Sequence, residues 1–189
     1  MASIPFVNET DAETAALLKW AAGRREAVGA MHRQMAHIPP LLEAFELYST
    51  MIRSKLPLDR ELWGLVILRT VQTSNVPYQW RRCVQIGRRT GMDDAKIIEL
   101  WNWQNSDLYS ERQKAAFAIV DEHCLHRPAR RVAAEAALGL LTAPEIVAVC
   151  TLMGWFALTF AFIEPLRLSE DDPDEPPELV ALDDQKFNT

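Results

Sequence analysis

In the stretch Asp59-Arg60-Glu61-Leu62-Trp63-Gly64-Leu65, the carboxylate of Glu61 is followed at helical spacing by Leu65 and Leu68. Residues so spaced share one face of a helix, so the acid is expected to point with apolar side chains. A carboxyl group carried toward an apolar interior binds its proton more tightly, which suits a general acid or base near neutral pH. The competing reading is a first-turn glutamate stabilised by the helix dipole and paired with Arg60 or Arg81. Downstream, in VPYQWRRCVQIGRR, Trp80, Cys83, Val84 and Gly87 fall on one helical face, while Arg81, Arg82, Arg88 and Arg89 lie mostly on the others. Cys83 on an apolar face is expected to pack as an inert thiol. A guanidinium beside it would instead favour the thiolate and make a nucleophile. The arginines can clamp a substrate carboxylate or form a solvated face.

Other combinations carry less. Asp121-Glu122-His123-Cys124-Leu125-His126 has metal-binding residue types, but three consecutive helical residues cannot face one ion, and no second His/Cys cluster completes four ligands. No metal and no cofactor are expected: the chain has seven glycines and neither a phosphate loop nor a dinucleotide fingerprint. The basic residues are dispersed, which argues against nucleic acid as a partner.

The elements that must hold these side chains read as helices. Thr10-Asp11-Ala12-Glu13, Ser110-Glu111-Arg112-Gln113 and Thr142-Ala143-Pro144-Glu145 have the form of capping boxes. Pro57, Pro77 and Pro128 suit first turns, and Gly91 suits a left-handed stop. Helices are predicted near 10–35, 39–53, 57–73, 77–90, 93–104, 110–125, 128–140 and 143–163, with no sustained period-two alternation. The fold class is all-α, a single-domain bundle of about eight helices over residues 1–168. Residues 169–189 hold eight acids and one base, which leaves 18 acids against 19 bases in the rest of the chain. This acidic, proline-rich tail is expected to be mobile.

Ile146 to Ile163 is free of charge for eighteen residues, but has no flanking basic cluster. It is expected to be a helix buried on all sides, and no membrane partner is expected. Three cysteines without a CxxC, and no basic, apolar leader, suggest a cytoplasmic protein with free thiols.

The runs MAHIPPLLEAFELY, LPLDRELWGLVILRT and VPYQWRRCVQIGRRTGM resemble the carboxymuconolactone decarboxylase and alkylhydroperoxidase D-like proteins. Those proteins carry Pro-Leu-Leu, then Arg-Glu-Leu, then Tyr-Glu-Trp-x-x-His. Here these fall on Pro40-Leu41-Leu42, Arg60-Glu61-Leu62 and Tyr78-Gln79-Trp80-x-x-Cys83, and the likeness runs over roughly residues 30–168. The resemblance implies an all-helical homo-oligomer, a trimer or hexamer. It also implies a pocket for a small-molecule substrate lined by Glu61, Tyr78, Trp80, Arg81, Cys83, Trp155 and Glu164. Redox members carry Cys-x-x-Cys-x-x-x-His in this helix; the matching positions are Val76, Gln79 and Cys83, so both redox cysteines and the histidine are replaced. Dithiol peroxidase chemistry needs two thiols and is not expected. The leading expectation is a cofactor-independent lyase doing acid/base chemistry on a small enolisable acid or lactone, with Glu61 as the catalytic group. The alternatives are a catalytically degenerate binding or oligomer-forming member, and a one-cysteine peroxidase using Cys83.

Overall fold

A computed structural model of the chain describes residues 2–24, 28–89, 91–125 and 132–168, with the backbone alone at Pro77 and Tyr78. The acidic tail and the Pro128 helix start lie outside the described residues. The fold is all-α, as expected. Nine α-helices are found among the described residues: α1 (Ala12–Ala22), α2 (Ala30–Met35), α3 (Pro39–Ser54), α4 (Arg60–Ser74), α5 (Pro77–Arg89), α6 (Asp94–Glu99), α7 (Glu111–Cys124), α8 (Ala133–Ala136) and α9 (Ala143–Ile163). They group into two compact units, residues 2–56 with 158–168 and residues 57–157.

In the first unit, α1 and α2 pack on α3 around Leu18, Met35, Leu42, Phe45 and Ile52. The helix expected over 10–35 is divided: α1 ends at Ala22 before Gly23, and α2 starts after Gly29. Glycine is a poor helix residue, and two of them bracket the break. Asp11, not Thr10, caps α1, its carboxylate accepting from the Thr14 N–H at 3.0 Å. The Gly29 N–H donates to Nδ1 of His32 at 3.1 Å, so the ring proton of the neutral imidazole sits on Nε2. That nitrogen lies 3.2 Å from the carboxylate of Glu46, which is fully buried.

The second unit is built on α4, which packs against α5 and α7. Asp59 caps α4 through the Leu62 N–H at 2.8 Å, so Pro57 precedes the helix instead of opening it. Asn75 ends α4 in the left-handed region, a conformation asparagine tolerates, and α5 then folds back along α4. Gly91, at φ +85°, ends α5: its N–H donates to the Arg88 carbonyl and the Met92 N–H to the Gly87 carbonyl, both at 3.0 Å. The helix expected over 93–104 ends at Glu99 and tightens into a 3₁₀ turn at Leu100–Asn102. Among the described residues the one expected over 128–140 is a single turn, α8. Its first N–H groups, Val132 and Ala133, bond the Glu122 carboxylate. That gives Glu122 a capping role in place of the metal ligation its neighbourhood first suggested.

Between α4 and α7 lies a buried ionic network. Arg69 Nε and Nη2 grip Asp121 Oδ1 and Oδ2 at 2.6 and 2.7 Å. Its Nη1 donates to Gln72 Oε1 at 2.6 Å and to the Leu100 carbonyl at 3.1 Å, while Trp103 Nε1 donates to Asp121 Oδ2 at 3.1 Å.

α9 departs from the expectation of burial on every side. It is long and apolar enough to cross a membrane by length and composition, but 44% of its most apolar window is buried in the structure. Val147, Cys150, Gly154 and Ala157 leave one face of its first 15 residues exposed. Its start is anchored by the expected box: the Thr142 N–H donates to Glu145 Oε2 at 2.7 Å, and the Glu145 N–H to Thr142 Oγ1 at 3.4 Å.

Arg112 joins the starts of α4 and α9. It donates to the Asp59 carboxylate at 2.6 Å and also to that of Glu145. The Arg112 hydrogen bond, with those from Thr142, pulls the Glu145 carboxyl from 4.5 down to about 2. Because the folded value is the lower one, this group stabilises the protein fully above pH ~4.5 and loses that contribution as the pH falls toward ~2. Urea unfolding at pH 7 and pH 3 checks this. The loss of stability on acidification is expected to be smaller in Glu145→Gln than in the wild type.

Candidate active site

Glu61 occupies the first turn of α4. Lys96 stands in α6, which Asp93 caps through the Ala95 N–H at 2.9 Å. Gln113 stands three residues into α7, where Ser110 Oγ accepts the Gln113 N–H at 3.3 Å and Gln113 Oε1 accepts the Ser110 N–H at 3.0 Å. These three starts meet at the Glu61 carboxylate. Lys96 Nζ donates to Oε1 at 2.6 Å, and Gln113 Nε2 donates to Oε2 at 3.0 Å. The amide of Gln113 has a defined orientation, since its oxygen is committed to Ser110 and its nitrogen is the atom left for Glu61.

The electrostatic setting differs from the one expected. The Glu61 side chain is 48% exposed, while Lys96 is 19% exposed. The carboxylate therefore does not sit among apolar side chains, and its partner is Lys96 rather than Arg60 or Arg81. The i, i+4 pattern with Leu65 misleads because Glu61 is in a first turn. Helical side chains lean toward the N-terminus, and here no preceding turn lies beneath.

Cys83 is buried on α5, as its apolar spacing suggested. Burial pushes its thiol up to about 12, and the nearby Arg82 charge offsets this in part. Near neutral pH it is a protonated, packed thiol. Trp80 is buried beside it, Arg81 is half-buried and Arg82 exposed. The side chain of Tyr78 lies outside the described residues. Trp155 is buried in the second unit, and Glu164 is exposed just past α9 in the first.

The register of the α4–α5 hairpin places Glu61 and Cys83 apart. A Cβ added to Gly64 would meet Met92 Cε at 2.6 Å, and one added to Gly87 would meet Met92 Sδ at 3.6 Å. Those two glycines thus lie at about the same level on antiparallel helices. Glu61 is three residues from it in one direction and Cys83 four residues in the other, roughly 10 Å in all at 1.5 Å per residue. Glu61, with Lys96 and Gln113, therefore lies toward one end of the hairpin, and Trp80 and Cys83 lie further along it.

Lys96 and Gln113 were not singled out in the sequence. Gln113 was legible as the fourth residue of a capping box, but its second bond, to a residue 52 positions away, was not. Among the described residues no group of three or more His, Cys, Asp or Glu side chains is placed to hold a metal ion.

Residues 39–122, from the start of α3 to the last turn of α7, match the carboxymuconolactone decarboxylase family. No curated protein matches the sequence. Among solved structures, the apo debrominase Bmp8 is similar, with a TM-score of 0.75 at 13% identity over 95% of both chains. A cysteine-to-alanine variant of that debrominase, in complex with 2,3,4-tribromopyrrole, gives 0.76 at 13% identity over 98% of this chain and 99% of the other. A protein of unknown function from Agrobacterium tumefaciens, suggested to be the antioxidant-defence protein AhpD, gives 0.60 at 18% identity over 75% of this chain and 97% of the other. The resemblance read from the sequence is thus met by a family match over residues 39–122 and by a shared fold.

Proposed function

We propose, on the premise of this family match, that the protein is a cofactor-independent enzyme of the lyase type. It would move a proton on a small enolisable acid or lactone, in a decarboxylation, elimination or isomerisation. The observation that supports this reading is the fixed geometry of Glu61: a half-exposed carboxylate with one oxygen on Lys96 and the other on Gln113. A base held in one orientation and open to small molecules meets the geometric requirement for abstracting a proton from carbon. Trp80 and Arg81 lie further from Glu61 along the hairpin than Cys83 does, so a small substrate on Glu61 is not expected to reach them.

A thiol mechanism has less support. A nucleophilic role like that of a peroxidase or a thiol-dependent dehalogenase would fall to Cys83, which is buried and protonated. No second cysteine stands three positions away to resolve a covalent intermediate.

Incubating the protein in D₂O with a panel of 2-oxo acids, 3-oxo acids and five-membered lactones tests the reading. Deuterium is expected at the activated carbon of at least one compound, followed by proton NMR. A silent panel would instead support the degenerate, non-catalytic member that the missing histidine and redox cysteines suggest.

The exposed face of α9 (Val147, Cys150, Gly154 and Ala157) is read as the contact with a second copy of the chain, in keeping with a homo-oligomer. The mass in solution by sedimentation checks this, and a monomer at all concentrations would contradict it.

A further inference from the structure

We propose that Lys96 is a substrate-contacting residue, the cation that receives the negative charge generated when Glu61 takes the proton. The inference rests on the reading of Glu61 as the base, and it narrows the substrate to compounds in which the acidic carbon is bonded directly to a carbonyl carbon.

Lys96 Nζ lies 2.6 Å from Glu61 Oε1, and its side chain is mostly buried whereas that of Glu61 is half open. Because the two groups are only 2.6 Å apart, a carbonyl oxygen on a molecule seated against the open side of the carboxylate comes within reach of the ammonium group, which is less exposed than the carboxylate but not closed off. Gln113 holds the other carboxylate oxygen, and the capping box of α7 fixes that amide in turn. The hydroxyl of Tyr109 bonds the Lys96 carbonyl, anchoring the backbone of α6 at the same residue. The cation and the base thus form one positioned unit.

The charge balance follows directly. Before reaction the positive charge of Lys96 is neutralised by the Glu61 carboxylate. Glu61 then takes the proton from the carbon. The C–H electron pair becomes the carbon–carbon double bond of the enolate, and the carbonyl π pair moves to oxygen. Glu61 is now neutral, and the displaced negative charge is on an oxygen two bonds from the carbon that lost the proton. Lys96 keeps a counter-ion throughout, exchanging the carboxylate for the enolate oxygen. Its pairing with substrate is strongest where the charge has developed, which is the condition for lowering a barrier. A carbonyl adjacent to the acidic carbon is required, because only then do the proton and the developing oxyanion lie within reach of two groups this close together.

The test needs no identified substrate. Oxalate, a planar dianion resembling an enolised 2-oxo acid, is titrated calorimetrically into the full-length chain. In the wild type Glu61 competes for Lys96 and binding is weak. Glu61→Gln removes the competing charge and is expected to tighten oxalate binding at least ~10-fold. Adding Lys96→Met to that variant is expected to erase the gain, and Lys96→Arg to keep most of it. The proposal is overturned if Glu61→Gln binds oxalate no tighter than the wild type, or if the Glu61→Gln/Lys96→Met protein binds as tightly as Glu61→Gln alone. These binding outcomes are independent of turnover, so the role of Lys96 can fail while proton exchange by Glu61 stands, or the reverse.

Discussion

Arg69→Met lowers the unfolding free energy by about 3–5 kcal/mol, the usual cost of removing one member of a buried ion pair. The network explains the size. Arg69 satisfies both Asp121 oxygens, Gln72 and the Leu100 carbonyl from one guanidinium. Methionine fills much of the volume but donates nothing. Asp121, also buried, is then left with the Trp103 indole as the hydrogen bond that remains from this network. A carboxylate so stranded must be protonated or draw in water. The paired variant Arg69→Met/Asp121→Leu is expected to recover most of the loss, since the costly species is the unpaired charge and not the missing bond. Urea unfolding at neutral pH measures both; a loss below ~1 kcal/mol for Arg69→Met would contradict the burial of the network.

Glu61→Gln has the larger effect on function and a small one on stability. Losing a general base costs about 10²–10⁴-fold in rate. The amide nearly matches the carboxylate in shape and can still accept from Lys96 through its oxygen. Its NH₂ then faces the NH₂ of Gln113, which cannot turn because its own oxygen is held by Ser110. One hydrogen bond at a half-exposed position is therefore lost, worth about 0.5–1.5 kcal/mol. A large kinetic loss beside a small change in stability is the signature expected of a base, as opposed to a structural acid.

Much of the scaffold was readable in the sequence because caps are local. Ser110 with Gln113 and Thr142 with Glu145 bond within four residues, so residue type and spacing suffice to place the starts of α7 and α9. The break between α1 and α2 was carried by glycines that a periodicity argument passes over. The Arg69–Asp121 pair and the Lys96–Glu61 pair span 52 and 35 positions, and no local pattern reports such contacts. Glu61 was found as a candidate, but its surroundings were misjudged because a first-turn residue does not share the burial of residues one turn later. The apolar run of α9 looked buried all round, because composition alone does not distinguish a core helix from one with an uncovered face.

The role of Glu61 as the base is tested most directly by comparing wild-type protein and Glu61→Gln for deuterium incorporation into the best compound of the oxo-acid and lactone panel, with urea midpoints measured on the same samples. Exchange by the wild type is expected, with a fall of about 10²–10⁴-fold in the variant and midpoints that stay close. Equal exchange rates in two folded proteins would contradict that role.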